Sequence, residues 1–165
     1  MSMKLYSSIM VLLLLSLLPA FAQNNRPASS DIPYITFCDL IQNPDLYDGR
    51  EVRFRAKYLA NSKVAAFGDP NCSSKENRTW AEFDGTSIKA SSTPEIYQKV
   101  EEQILCGRCG GDKDWRETEM LVIGIFDGSD IGHGRLGKYR FMVTVKNVEE
   151  ISETEKTKTP GFEAQ

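Results

Sequence analysis

Apolar and polar positions alternate most regularly over "EVRFRAKYLA" (Glu51 to Ala60). Val52, Phe54, Ala56 and Tyr58 fall on one side and Arg53, Arg55 and Lys57 on the other. A period of two with one apolar face predicts a half-buried β-strand. "SKVAAFGD" predicts a weaker second strand, and the polar stretch from Pro70 to Arg78 a loop. "TWAEFDG" (Thr79 to Gly85) predicts a third strand ending in a turn at Asp84-Gly85. Upstream, Thr36 is placed to cap a short helix carrying Phe37, Leu40 and Ile41 at helical spacing, with Pro44 ending it. After "SSTP" the period changes. Pro94 opens a helix, Glu95 lies in its first turn, and Ile96, Val100 and Ile104 make one stripe. "EMLVIGIFDG" (Glu119 to Gly128) is almost continuously apolar and predicts a buried strand, and "GKYRFMVTVKNVEEI" (Gly137 to Ile151) alternates as a final one. The glycine-rich "DGSDIGHGRLG" joins these two.

A lead-in helix, three strands, a helix and two strands predict a mainly β chain. The fold class that fits is a five-stranded OB-like Greek-key barrel with the helix between strands three and four at one end. Before it, Lys4, the apolar run Ile9 to Leu18 and the small residues Ala20 to Ala22 read as a signal peptide over 1–22, so that the mature protein begins at Gln23. The apolar run is shorter than the roughly 20 residues a bilayer requires. No later stretch is long and apolar, so no transmembrane segment is expected after leader removal. Residues 23–31 and 152–165 are polar and predict a flexible N-terminal segment and a disordered C-terminal tail, leaving 32–151 as the domain. The chain has 165 residues, a size that suits a single small core. Its formal net charge of −3 becomes more negative when Lys4 leaves with the leader. The expected product is exported, to the periplasm or the extracellular space.

The segments "FCDLIQNPDLYDGREVRFRA", "GDPNC" and "GHGRLGKYRFMVTV" resemble a group of exported bacterial proteins of unknown function with an OB-fold-like domain. In that group a C-L-x-x-P-x-x-Y-x-G lead-in runs into the first strand and a G-H-G turn precedes the last. The resemblance spans about Phe37 to Val148 and implies fold and export. It implies no activity, because such barrels host many.

Four cysteines, Cys38, Cys72, Cys106 and Cys109, lie in the expected mature chain. Export favours disulfides, and four cysteines allow three pairings. "CGRC" (Cys106 to Cys109) has the spacing of a redox pair, but that chemistry relies on a helix N-terminus to stabilise the thiolate. Here the pair follows a predicted helix, and Gly107, Gly110 and Gly111 read as its stop, which favours a staple. A four-thiolate zinc site normally shows two close pairs, and here only one pair is close. The preferred pairing joins Cys38 to Cys72 and Cys106 to Cys109. The first closes a long loop and is expected to contribute about 3 to 4 kcal/mol. No metal and no cofactor are assigned.

His133, Arg135 and Lys138 form a candidate ligand loop, placed where OB-like barrels carry one of their binding loops. Against this, a histidine between glycines also reads as a turn residue bonded locally. Neither a nucleophile nor a partner acid is marked, so no catalytic residue is assigned. A nucleic-acid surface would draw on Tyr58, Phe67, Trp80 and Phe83 beside Arg53, Arg55 and Lys57. Alternation turns Tyr58 inward and the chain is acidic, so nucleic acid is not the expected partner. The expected function is a non-catalytic binding or structural module for a small molecule, an envelope component or another protein. The alternative is an extracytoplasmic thiol-disulfide protein acting through Cys106 and Cys109.

Overall fold

A computed structural model describes residues 31–72, 78–105, 115–153 and 155–157. The expected signal peptide and the Cys106–Cys109 stretch lie outside the described residues. Helix α1, Phe37–Gln42, begins where the threonine predicts it, with the Thr36 hydroxyl oxygen accepting from the Asp39 N–H at 3.0 Å. Its buried face is Phe37, Leu40 and Ile41. Pro44 does not end this region. It opens a second turn of helix, α2, Pro44–Tyr47, because a ring-fixed φ suits a first helical position as well as a stop.

The strands are β1 (Glu51–Ala60), β2 (Ala65–Gly68), β3 (Thr79–Phe83), β4 (Trp115–Asp127) and β5 (Phe141–Ile151). They run β1-β2-β3-β5-β4, and β1 pairs with β4 to close a five-stranded barrel. β3 and β5 are parallel, and the other pairs of the barrel are antiparallel. The molecule is thus mainly β with short helices, and this strand order agrees with an OB-like Greek key. A further strand, β6 (Glu155–Thr157), pairs with Trp115–Glu117 of β4. Regular structure therefore runs past Ile151 into residues that read from composition as a loose tail, because the free edge of β4 offers backbone partners to a polar segment.

Asp84-Gly85 is the other departure. The expected turn is the start of helix α3, Gly85–Ser91. The Asp84 carboxylate accepts from the Ser87 N–H at 3.1 Å and from Lys146 Nζ at 2.8 Å. The same dipeptide signals a turn or a helix cap, and the cation that joins it here comes from β5, far along the chain. Helix α4, Pro94–Val100, follows and widens into a π-helical turn over Glu101–Leu105. Val100 is buried, and Ile96 and Ile104 pack partly buried against the core.

Inside the barrel, Phe54 meets Phe37 of α1 at 5.6 Å between ring centroids and Phe67 at 5.5 Å, and Phe126 meets Phe141 at 5.6 Å. All five rings are fully buried, each contributing about 1.5 to 3 kcal/mol by leaving water. β4 carries a glycine in its apolar run because a Cβ at Gly124 would stand 2.7 Å from the Thr144 carbonyl oxygen, beside a shift of register against β5. Cys38 and Cys72 are joined by a disulfide with their Cα atoms 5.6 Å apart, tying α1 to the segment after β2.

Candidate functional site

The connection from β4 to β5 is held by its own backbone. Gly132, Gly134 and Gly137 have φ of +79°, +65° and +62°. These left-handed values reverse the chain tightly at little cost for glycine. His133 forms a two-way bridge to Tyr139, its N–H donating to the Tyr139 carbonyl at 2.7 Å and its carbonyl accepting from the Tyr139 N–H at 3.2 Å. Gly134 lies against the indole of Trp80 so closely that a Cβ there would stand 2.5 Å from the ring. The ring of Tyr139 completes this contact, 5.0 Å from Trp80 between centroids. A short 3-10 turn, Arg135–Gly137, then crosses the tip.

His133 points inward. Only 6% of it is exposed, and Nε2 lies 3.2 Å from the Ser129 carbonyl oxygen and 3.6 Å from Asp127 Oδ1. A carbonyl can only accept, so Nε2 carries a hydrogen and donates. Asp127 Oδ1 also accepts from the Ser129 N–H at 3.0 Å and from the Ser129 hydroxyl. The imidazole is therefore a strut under the loop.

Arg135 and Lys138 are exposed. Among the described residues neither has a carboxylate partner. Between and beside them are the two most exposed large apolar side chains described, Ile131 at 78% and Leu136 at 80%. Leu136 has φ +68° and ψ +19°, a left-handed backbone that leucine rarely adopts. Arg140 is tied down by Asp130 at 3.4 Å and by the ring of Phe141. The three residues singled out from sequence thus divide: Arg135 and Lys138 are exposed, and His133 is buried. Ile131 and Leu136 escaped notice, since in a glycine-rich run an apolar residue gives no period to read.

A second charged surface is already matched. On the outside of β1, Arg53 pairs with Glu149 at 2.7 Å, Arg55 with Glu119 at 3.2 Å and with Glu150, and Lys57 with Glu117. Hydrogen bonding to Glu150 raises the pKa of Arg55 further. The basic stripe is thus answered across the sheet by acids of β4 and β5. The rings a stacking surface would need are mostly spent as well. Tyr58 and Phe67 are core residues, and burial pushes the Tyr58 hydroxyl far up. Phe83 packs on Tyr58 at 5.2 Å, leaving Trp80 under Gly134.

Two other clusters resemble chemistry. Donor atoms of Cys38, Asp69 and Cys72 lie within 4.8 Å of one another. Both sulfurs are spent in the disulfide, so no thiolate is left there for a metal. At the start of α3, Ser87 Oγ donates to Asp84 Oδ2 at 2.8 Å, the oxygen that also accepts from Lys146. The Lys146 ammonium, with the Ser87 bonds, holds the Asp84 carboxyl well below the usual carboxylate range. In the structure the Asp84 carboxylate caps α3, accepting from the Ser87 N–H. No family model matches the chain, and no curated protein or solved structure matches it. Among the described residues, no helix is long and apolar enough to cross a membrane.

Proposed function

We propose that this chain is an exported, non-catalytic binding module that meets its partner with the tip of the β4–β5 loop. The observation that carries the proposal is Leu136, four-fifths exposed on a left-handed backbone. That conformation costs a residue with a Cβ about 1 to 2 kcal/mol, and glycine there would avoid the cost. Strain kept on an exposed side chain points to use of the side chain. Arg135 and Lys138, without a carboxylate partner among the described residues, support a contact surface, and the burial of the only histidine argues against acid–base catalysis there. Export is supported by the leader-like N-terminus and by the Cys38–Cys72 disulfide, a bond of oxidising compartments.

Expression of the full chain in a bacterial host tests both parts. The expected product is an extracytoplasmic protein beginning at Gln23. Its amide spectrum is then followed against an envelope extract separated into soluble small molecules, lipids and proteins. Perturbation centred on residues 130–140 by one fraction supports the reading. Retention in the cytoplasm defeats export, and a loop unmoved by every fraction defeats the binding site.

A further inference from the structure

Resting on that reading, we propose that the loop tip docks on an anionic lipid surface, with Ile131 and Leu136 entering the acyl boundary and Arg135 and Lys138 meeting phosphate oxygens. The pattern is two exposed aliphatic side chains and two exposed cations within one short loop, the combination by which peripheral proteins hold a charged bilayer surface. Charge complementarity gives the orientation. The chain carries a net −3, and the Arg53, Arg55 and Lys57 stripe on β1 is matched by glutamates, so that stripe gains little from an anionic surface. At the loop the two cations have no carboxylate partner among the described residues.

The shape of the surface separates lipid from other occupants. A stable protein partner needs about 800 Å² on each side. Two side chains and two cations on a loop tip are much smaller than that, whereas a fluid bilayer adapts to a small protruding tip. Nucleic acid would want stacking rings at the tip, where the exposed large side chains are the aliphatic Ile131 and Leu136 and where Trp80 lies under Gly134. The tip is also already ordered, through the His133–Tyr139 bridge and the Trp80 contact, so docking loses little conformational freedom.

The test is co-sedimentation of the exported protein with vesicles of phosphatidylcholine alone or mixed with phosphatidylglycerol. Binding is expected only to the mixed vesicles and is expected to weaken with salt. Leu136→Gly removes the side chain and suits the backbone, and should lower the partition coefficient about tenfold. The double variant R135Q/K138Q should lower it about thirtyfold. Circular dichroism of each variant checks that the barrel is intact. Equal binding to the two vesicle types, or binding unchanged in these variants, overturns the proposal. Amide spectra of the loop with vesicles, with a single-stranded oligonucleotide and with the soluble envelope fractions separate the failures. If vesicles leave Ile131 and Leu136 unmoved while a soluble fraction or the oligonucleotide shifts them, the lipid inference falls and the binding module stands. If nothing shifts them, both fall.

Discussion

Two connections of the barrel are fastened by opposite means. Among the described residues after β2, Cys72 is joined covalently to Cys38 on α1, and the Asn71 N–H donates to the Asp69 carboxylate at 2.8 Å. The β4–β5 loop is fixed without covalent help, by a backbone bridge, a buried imidazole and a glycine pressed on an indole. A disulfide acts largely on the unfolded chain, by closing a loop before folding, and tolerates changes in what surrounds it. The packed loop acts only in the folded state, through close contacts that one added carbon removes. The first fastening secures the body of the barrel, and the second keeps a tip in one shape.

Loss of the covalent tie should have the largest effect. C38S/C72S is expected to lower stability by about 3 to 4 kcal/mol in urea unfolding. Gly134→Ala comes next, at about 2 to 3 kcal/mol, since the methyl must both overlap Trp80 and accept a positive φ. Its emission spectrum, recorded in a Trp115→Phe background, should shift as Trp80 is uncovered. An unchanged melt for Gly134→Ala would mean that the two loops do not differ in kind.

Leu136→Gly should behave oppositely, stabilising by up to about 1 kcal/mol in thermal unfolding, because relief of backbone strain outweighs the added freedom of the unfolded chain. A loss of stability would show that Leu136 is packed in solution, and the contrast between body and tip would blur. The smallest effect sharpens the comparison through pH. The Asp84 carboxyl is held below the usual carboxylate range by Lys146, so its charged form stabilises the fold at pH values above the ordinary carboxylate pKa, near about 4, and that contribution is lost as pH falls through the folded value. Asp84→Asn keeps a capping oxygen without the charge, so its deficit against wild type should shrink below about pH 4. The deficit of C38S/C72S should stay level over the same range.

The regular parts of this fold were legible. β1 spans the residues that alternation marks, since one strand face meets core and the other water. The lead-in helix was legible through Thr36 and three apolar residues at the right spacing. What failed depended on partners distant in sequence: α3 is marked by Lys146 of β5, and β6 by the open edge of β4. At the candidate site the glycines located the loop, but no periodicity within it says which way His133 points. Its direction is set by Asp127, Ser129 and a bridge to Tyr139, and the outward Ile131 and Leu136 are what remains when the inside is taken.

Closure of the barrel by β1 and β4 also bears on when the chain can fold. Glu51 lies opposite Ile125 and Ala60 opposite Arg116, so the first strand has no partner along that side until most of the chain has emerged. A polypeptide threaded N-terminus first through a narrow channel would meet no closed barrel to jam it. Under the proposed export, folding would wait for β4 to arrive on the far side of the membrane, where an oxidant would then join Cys38 to Cys72.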